Sequence, residues 1–198
     1  MSLKHAYPRA RGTSLIEVLV TLVIVAFGLL GIAGLQSKLS LTEVEAYQRA
    51  QAVLLLSEMV ERMNANRAQV AAGAYVTAGA LGTGDAEPAN CTGIAVGPNR
   101  DLCEWSNALK GNSELNTATN ATVGTLTGGL GCIAPVQTQN PALGVCAAGV
   151  YQVSVAWQGK TLTAAPAAGL ACGTGAYGNE GYHRVIAATV TVGTTQCF

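Results

Sequence analysis

Arg11-Gly12-Thr13-Ser14-Leu15-Ile16-Glu17, followed by eighteen uncharged residues from Val18 to Leu35, is the stretch on which the fold turns. At ~1.5 Å per residue those eighteen residues span about 27 Å as a helix, close to the ~30 Å hydrocarbon core of a bilayer. The leader carries Lys4, His5, Arg9 and Arg11 and no acid. Such a leader holds the N-terminus in the cytoplasm and places everything after Leu35 outside. The one charge in the apolar run is the carboxylate of Glu17. A carboxylate at the bilayer centre costs about 2.5–3.5 kcal/mol or more, so Glu17 needs a reason to be there. A secretory signal peptide would have a shorter apolar region, ~7–15 residues, and a small-residue cleavage site after it. A plain signal anchor fits the length but leaves Glu17 without a role.

The leader ending in Gly12, Glu17 at the fifth position after it, and the apolar helix that follows resemble the class III signal of type IV pilins and pseudopilins. The resemblance implies that a prepilin peptidase cuts between Gly12 and Thr13 and methylates the new amino terminus. Thr13 stands where that family usually has phenylalanine. Cleavage leaves an α-ammonium on Thr13 that is expensive to bury without a partner. A carboxylate one helical turn away neutralises it, within the subunit or on a neighbour. In the resembled family this pairing draws an incoming subunit into the base of the growing filament. Removing one partner of a buried pair costs several kcal/mol, which makes the pair a registry device even where its net stabilisation is small. The competing reading is a lone Glu17 that snorkels to the interface.

Helix formers dominate from Gln36 to Arg67, and no proline occurs between Pro8 and Pro88. Ala52, Leu55, Leu56, Met59, Val60 and Met63 recur at three- and four-residue spacing, an apolar stripe opposite Glu58, Glu61 and Arg62. A helix from Thr13 to about Arg67 would be roughly 80 Å long. Gly28, Gly31 and Gly34 interrupt the span. Small residues let membrane helices approach closely, and each glycine weakens a helix by about 1 kcal/mol relative to alanine. Gly34 falls where major pilins carry a helix-breaking proline, so local melting during assembly and close packing both account for the glycines.

The ending Glu61-Arg62-Met63-Asn64-Ala65-Asn66-Arg67 looks like the helix end of PilV-type minor pilins. The stretch Leu29-Leu30-Gly31-Ile32-Ala33-Gly34-Leu35-Gln36 is similar too, and Asp101–Trp105 and Val153–Lys160 fit the same picture. The organisation expected is a prepilin leader at 1–12, a transmembrane half-helix at 13–36, an amphipathic half at 37–70 and a globular pilin-like domain at 71–198.

In that last region glycine, alanine and threonine dominate and charges thin out. A short helix is expected from Asp101 to Lys110, capped by Asp101 with Glu104 completing a capping box, stopped by Gly111, and turning Leu102, Trp105 and Leu109 inward. Strands are expected at Tyr151–Trp157 and Val185–Val192, where apolar and small or polar residues alternate, with weaker candidates at Ala121–Thr127 and Gly131–Gln137. Ala164–Gly181 reads as a loop. The fold class expected is α+β, a long N-terminal helix packed on a small antiparallel sheet with disulfide-bonded loops.

All six cysteines, Cys91, Cys103, Cys132, Cys146, Cys172 and Cys197, follow the membrane span. An even count outside an oxidising membrane face suggests disulfides. Six cysteines allow 15 connectivities. Pairing neighbours would close Cys91–Cys103 and Cys132–Cys146 and leave Cys172–Cys197; the last resembles the C-terminal disulfide loop of type IV pilins. No Cys-x-x-Cys pair points to zinc, and no metal or cofactor is expected. His183, expected at a surface or strand end, has no nucleophile or metal motif beside it, and Glu58, Glu61 and Arg62 read as a solvated helix face. Asn90-Cys91-Thr92 and Asn120-Ala121-Thr122 match a glycosylation pattern that is frequent by chance.

Formal charge is zero for the whole chain. Losing Lys4, Arg9 and Arg11 takes the 11 basic residues to 8 against 11 acidic ones, a net of −3. A non-specific nucleic-acid binder should show a basic stripe, and none is visible. The resemblance thus implies a minor pilin without catalytic activity, waiting in the inner membrane with its disulfide-bonded domain in the periplasm. There it would join other minor pilins to prime pilus assembly and end near the tip. Partners implied are the prepilin peptidase, other minor pilins, the major pilin and the inner-membrane assembly platform. The alternatives are a pseudopilin of type II secretion, a tip adhesin and an anchored periplasmic enzyme.

Overall fold

The computed structural model describes residues 12–111, 126–142 and 145–194. The chain divides between Glu43 and Val44 into two compact units, and helix α1 (Leu15–Ala65) contributes to both. In the first unit every residue from Gly12 to Glu43 is exposed, with Leu15 at 91 % and Phe27 at 71 %. A helix that is apolar all round belongs in lipid or among other helices. The stretch is long and apolar enough to cross a membrane. The basic leader through Arg11 lies outside the described residues.

In the second unit α1 is amphipathic. Ala52, Leu56, Met59 and Met63 are buried, and Leu55 and Val60 are partly buried against the same core, as the three- and four-residue spacing predicts. The helix ends at Ala65, two residues short of Arg67, because Asn66 leaves helical geometry at φ −117° and ψ 44°. The Asn66 Nδ2 donates to the Arg62 carbonyl at 3.2 Å, and one further turn, α2 (Arg67–Ala71), buries Val70.

The core of α1 lies on a four-stranded antiparallel sheet in the order β1-β2-β3-β4: β1 (Leu81–Gly82), β2 (Leu130–Gln137), β3 (Gly149–Gln158) and β4 (His183–Val192). Tyr151, Val153, Val155 and Trp157 face the core with Val190 and Val192, as the alternation predicts. The Gly131–Gln137 strand candidate is β2. For Ala121–Thr127, residues 121–125 lie outside the described ones and 126–128 form a bend and turn. Two-residue β1 has no sequence period to reveal it.

Helix α3 (Pro98–Lys110) begins three residues before the expected start. Asp101 is therefore not its cap. Gly97 takes that place with no side-chain cap bond, Pro98 opens the helix, and Gly111 closes it in the left-handed conformation at φ 73°. Trp105 and Leu109 are buried and Leu102 partly buried, as expected.

The far face of the sheet is not bare. Leu130 and Ala156 form a second small cluster with Cys172, and Tyr177 and Val185 pack against it. The 161–182 segment, a loop except for a single turn of 3-10 helix at Glu180–Tyr182, supplies that cover. Its anchor is a disulfide between Cys132 and Cys172. The neighbour pairing Cys132–Cys146 and the pilin-like pairing Cys172–Cys197 are both overturned by it; Cys197 lies outside the described residues. The cause is topological: Cys132 sits on the outward face of β2 opposite Ser154 of β3, where the covering loop arrives, so a distant cysteine is nearer than a sequence neighbour. Cys91–Cys103 forms as expected, and Cys146 is also disulfide-bonded.

Candidate functional site

The segment that carries the chemistry read from the sequence begins with Gly12, Thr13 and Ser14, which precede α1 in irregular conformation. The Ser14 carbonyl accepts the first helical bonds, from the N–H groups of Glu17 at 3.0 Å and Val18 at 3.3 Å. Glu17 thus sits in the first turn of α1, where the unpaired N–H groups and the helix dipole favour negative charge. It is exposed, as are Gly12 and Thr13. Gly28, Gly31 and Gly34 lie within the continuous helix, and a Cβ at any of them would meet nothing within 4 Å. Their surface is free for the backbone of another helix to approach.

The second unit fastens α1 with charges that the periodicity does not single out. Glu45 accepts from the N–H groups of Lys160 and Thr161, both at 2.9 Å, and from the Thr161 hydroxyl at 2.8 Å, with Arg184 Nη2 at 3.4 Å. Burial works to raise this carboxyl; the Thr161 and Lys160 hydrogen bonds and the Arg184 charge outweigh it and hold Glu45 below the ordinary carboxylate range. Glu45 lies on the same side of α1 as Gln48 and Ala52, at three and seven residues, which is the signal that could have found it.

Arg62 is not on a solvated face. Its guanidinium bridges Glu58 at 2.8 Å on its own helix to Asp101 at 3.0 Å and Glu104 at 2.8 Å on α3. Burial opposes the charge, but the bonds from Glu104, Glu58 and Asp101 prevail and raise the Arg62 pKa. The Asp101 carboxylate also accepts from the Tyr75 hydroxyl. Burial and that bond push Tyr75 up to about 12. The fork geometry of arginine makes this a clamp between two helices.

His183 does open a strand, but it is buried rather than at the surface. Its ring faces Glu180 Oε2 at 2.8 Å and the Cys172 carbonyl at 2.7 Å, and so ties the covering loop to β4. Among the described residues no group of three or more His, Cys, Asp or Glu could hold a metal ion. Asn90 Oδ1 accepts from the N–H and hydroxyl of Thr92 in a local turn; Asn120-Ala121-Thr122 lies outside the described residues.

Comparison with known proteins converges on the first of these regions. Residues 7–33 match the model of the prokaryotic N-terminal methylation motif. No curated protein and no solved structure matches the chain. The matched motif carries the class III prepilin signal and supports a type IV pilin-like protein, handled by a prepilin peptidase and associated with a membrane.

Proposed function

We propose that the chain is a PilV-type minor pilin, a non-enzymatic subunit that primes type IV pilus assembly and is incorporated near the tip, where it supports twitching motility and adhesion. One observation carries the reading: the matched motif at 7–33 runs into a single helix, α1, that is apolar from Val18 to Leu35, exposed through Glu43, and amphipathic on a disulfide-bonded domain after Val44. A first half without intramolecular cover is suited to lipid before assembly and to neighbouring helices after it. The disulfides fit a domain held in the periplasm.

Assembly runs on charge neutralisation. The ammonium left on Thr13 enters the packed helices with a compensating carboxylate, Glu17, and an unpaired end is too costly to accept there. A type II secretion pseudopilin shares this motif and is the second reading; the Glu61–Arg67 helix ending favours the pilus.

Two measurements test the proposal. The intact mass of the membrane-extracted chain should correspond to a methylated Thr13 terminus only when prepilin peptidase is present. Glu17→Lys should leave insertion and cleavage intact while lowering incorporation into pili by about tenfold or more. Normal piliation in that variant would sink the neutralisation mechanism, and an uncut Met1 would sink the filament reading.

A further inference from the structure

We propose that the cleft between the covering loop and the outward face of the sheet binds a short, uncharged peptide in extended form. The site lies wholly within the domain after Val44 and goes beyond the filament reading above. Its cavity of about 540 Å³ falls inside the ~300–1,000 Å³ of ligand sites. The floor is made by side chains two apart on adjacent strands, Leu130, Cys132 and Ala134 of β2 beside Gln152 and Ser154 of β3. The 77–80 segment forms one bank and the 169–176 part of the covering loop the other. The Cys132–Cys172 bridge ties the second bank to the floor, and His183 holds the Cys172 carbonyl at 2.7 Å. The cleft is therefore built before any ligand arrives, and little ordering opposes binding.

Ser154 is the observation that points to a ligand. It is only 4 % exposed, and the register places it opposite Cys132, at the centre of the floor. Its hydroxyl has no hydrogen-bond partner among the described residues. The oxygen is not sealed away: among the described residues, the one sealed side-chain oxygen or nitrogen without a partner is Oε1 of Gln48. The Ser154 hydroxyl therefore opens on the cleft that Ser154 lines. Gln152 stands two residues along on the same face, and its carboxamide also makes no hydrogen bond among the described residues. Folded proteins pair nearly all such groups.

The walls select the occupant. Among the described residues no Asp, Glu, Lys, Arg or His lines the cleft, so nothing there would offset the lost hydration of an ionic ligand. No Phe, Tyr or Trp lines it either, which leaves a sugar or other ring without a stacking platform. Both banks are mostly glycine and alanine, Gly79 and Ala80 on one side and Gly169, Ala171, Gly173 and Ala176 on the other. Such short side chains let a main chain approach closely. A serine hydroxyl and a glutamine carboxamide each donate and accept, which matches the N–H and C=O of successive peptide units. From Leu130 to Ala134 the floor runs about 13 Å at ~3.3 Å per residue, room for about four extended residues. The cavity volume over that length limits them to small side chains.

The test uses the full chain in detergent micelles with its disulfides formed. The probe is the capped peptide acetyl-Ala-Gly-Ala-Gly-amide, and its titration is followed by backbone amide chemical shifts. The amides of Gln152, Ser154 and Gly173 should move saturably, and those of Arg62 and Asp101 in the helix clamp should stay fixed. Ser154→Ala should bind the peptide about tenfold more weakly with an unchanged melting temperature, because its hydroxyl has no internal partner to lose. Ala134→Leu fills the floor at an exposed position and should abolish the shifts; it decides alone if Ser154→Ala does not fold. Fixed amides in the wild type, equal affinity in folded Ser154→Ala, or shifts that persist in Ala134→Leu overturn the site. Equal binding of acetyl-Glu-Gly-Glu-Gly-amide, or maltotetraose moving the same amides in place of the peptide, overturns the assignment of its ligand.

Discussion

Gly131 of β2 lies beneath the indole of Trp105, so that a Cβ on Gly131 would stand 2.4 Å from Cη2 and 2.6 Å from Leu109 Cδ1. Trp105 has no exposed surface, and its Nε1 donates to the Leu55 carbonyl in α1 at 2.9 Å. One side chain therefore fills the space between α3, the sheet and α1, and its room comes from a missing methyl group on β2. Neither the ring nor the Leu109 side chain can retreat far in a close-packed interior. Gly131→Ala should destabilise the domain by about 1–3 kcal/mol, read as a lower urea midpoint with unchanged slope. An unchanged midpoint would mean that the ring moves freely, and the three-way packing would then be wrong.

The elements with a strong period are legible in the amino-acid sequence. The stripe from Ala52 to Met63 and the alternation in Tyr151–Trp157 and Val185–Val192 each need only one buried face to declare themselves. What escapes a reading of the sequence depends on contacts between distant residues. Asp101 has the local spacing of a helix cap, but Pro98 starts the helix earlier and Asp101 serves Arg62 and Tyr75 instead. Ala156 and Ser154 alternate outward on β3, yet both are buried because a loop with no period of its own folds across them. In the N-terminal motif the residues are readable individually, since Gly12, Thr13 and Glu17 lie within one short stretch. The role of Glu45 is not, because its donors come from more than a hundred residues away.

Asp85 gives the domain a defined acid sensitivity. Its carboxylate is ion-paired with Lys110 and accepts from the Ser106 hydroxyl at 2.6 Å and the Gly82 N–H at 2.7 Å. Burial alone would raise this carboxyl, but Lys110, Ser106 and the backbone N–H groups of Gly82 and Glu87 hold it below its ordinary value. A carboxylate depressed by folding adds stability in full above the unfolded value, ~3.9. That contribution is lost as pH falls through the lower folded value. Asp85→Asn should therefore be clearly less stable than wild type at pH 7, and the gap should narrow as pH drops below about 4. A gap that stays constant down to pH 2 would show that the carboxylate contributes no charge-dependent stability.

The two defined disulfides should differ in what their removal costs. Cys91–Cys103 closes a separation of 12 residues and Cys132–Cys172 one of 40. Loop-closure entropy puts the first at about 3 kcal/mol and the second at about 4 kcal/mol. Packing widens the difference. The Cys132–Cys172 bridge holds the loop that covers Ala156 and Leu130, and its Cys172 carbonyl is the partner of buried His183. Without it the outer face of β3 gains access to water and His183 loses a fixed acceptor. Replacing Cys132 and Cys172 together by serine should lower the melting temperature more than replacing Cys91 and Cys103, and should open the 161–182 segment to protease while α1 and α3 stay protected. Equal melting temperatures and an uncut loop would mean that the Thr161 bonds to Glu45, and those that Arg184 donates to the Thr161 and Gly181 carbonyls, hold it without the bridge.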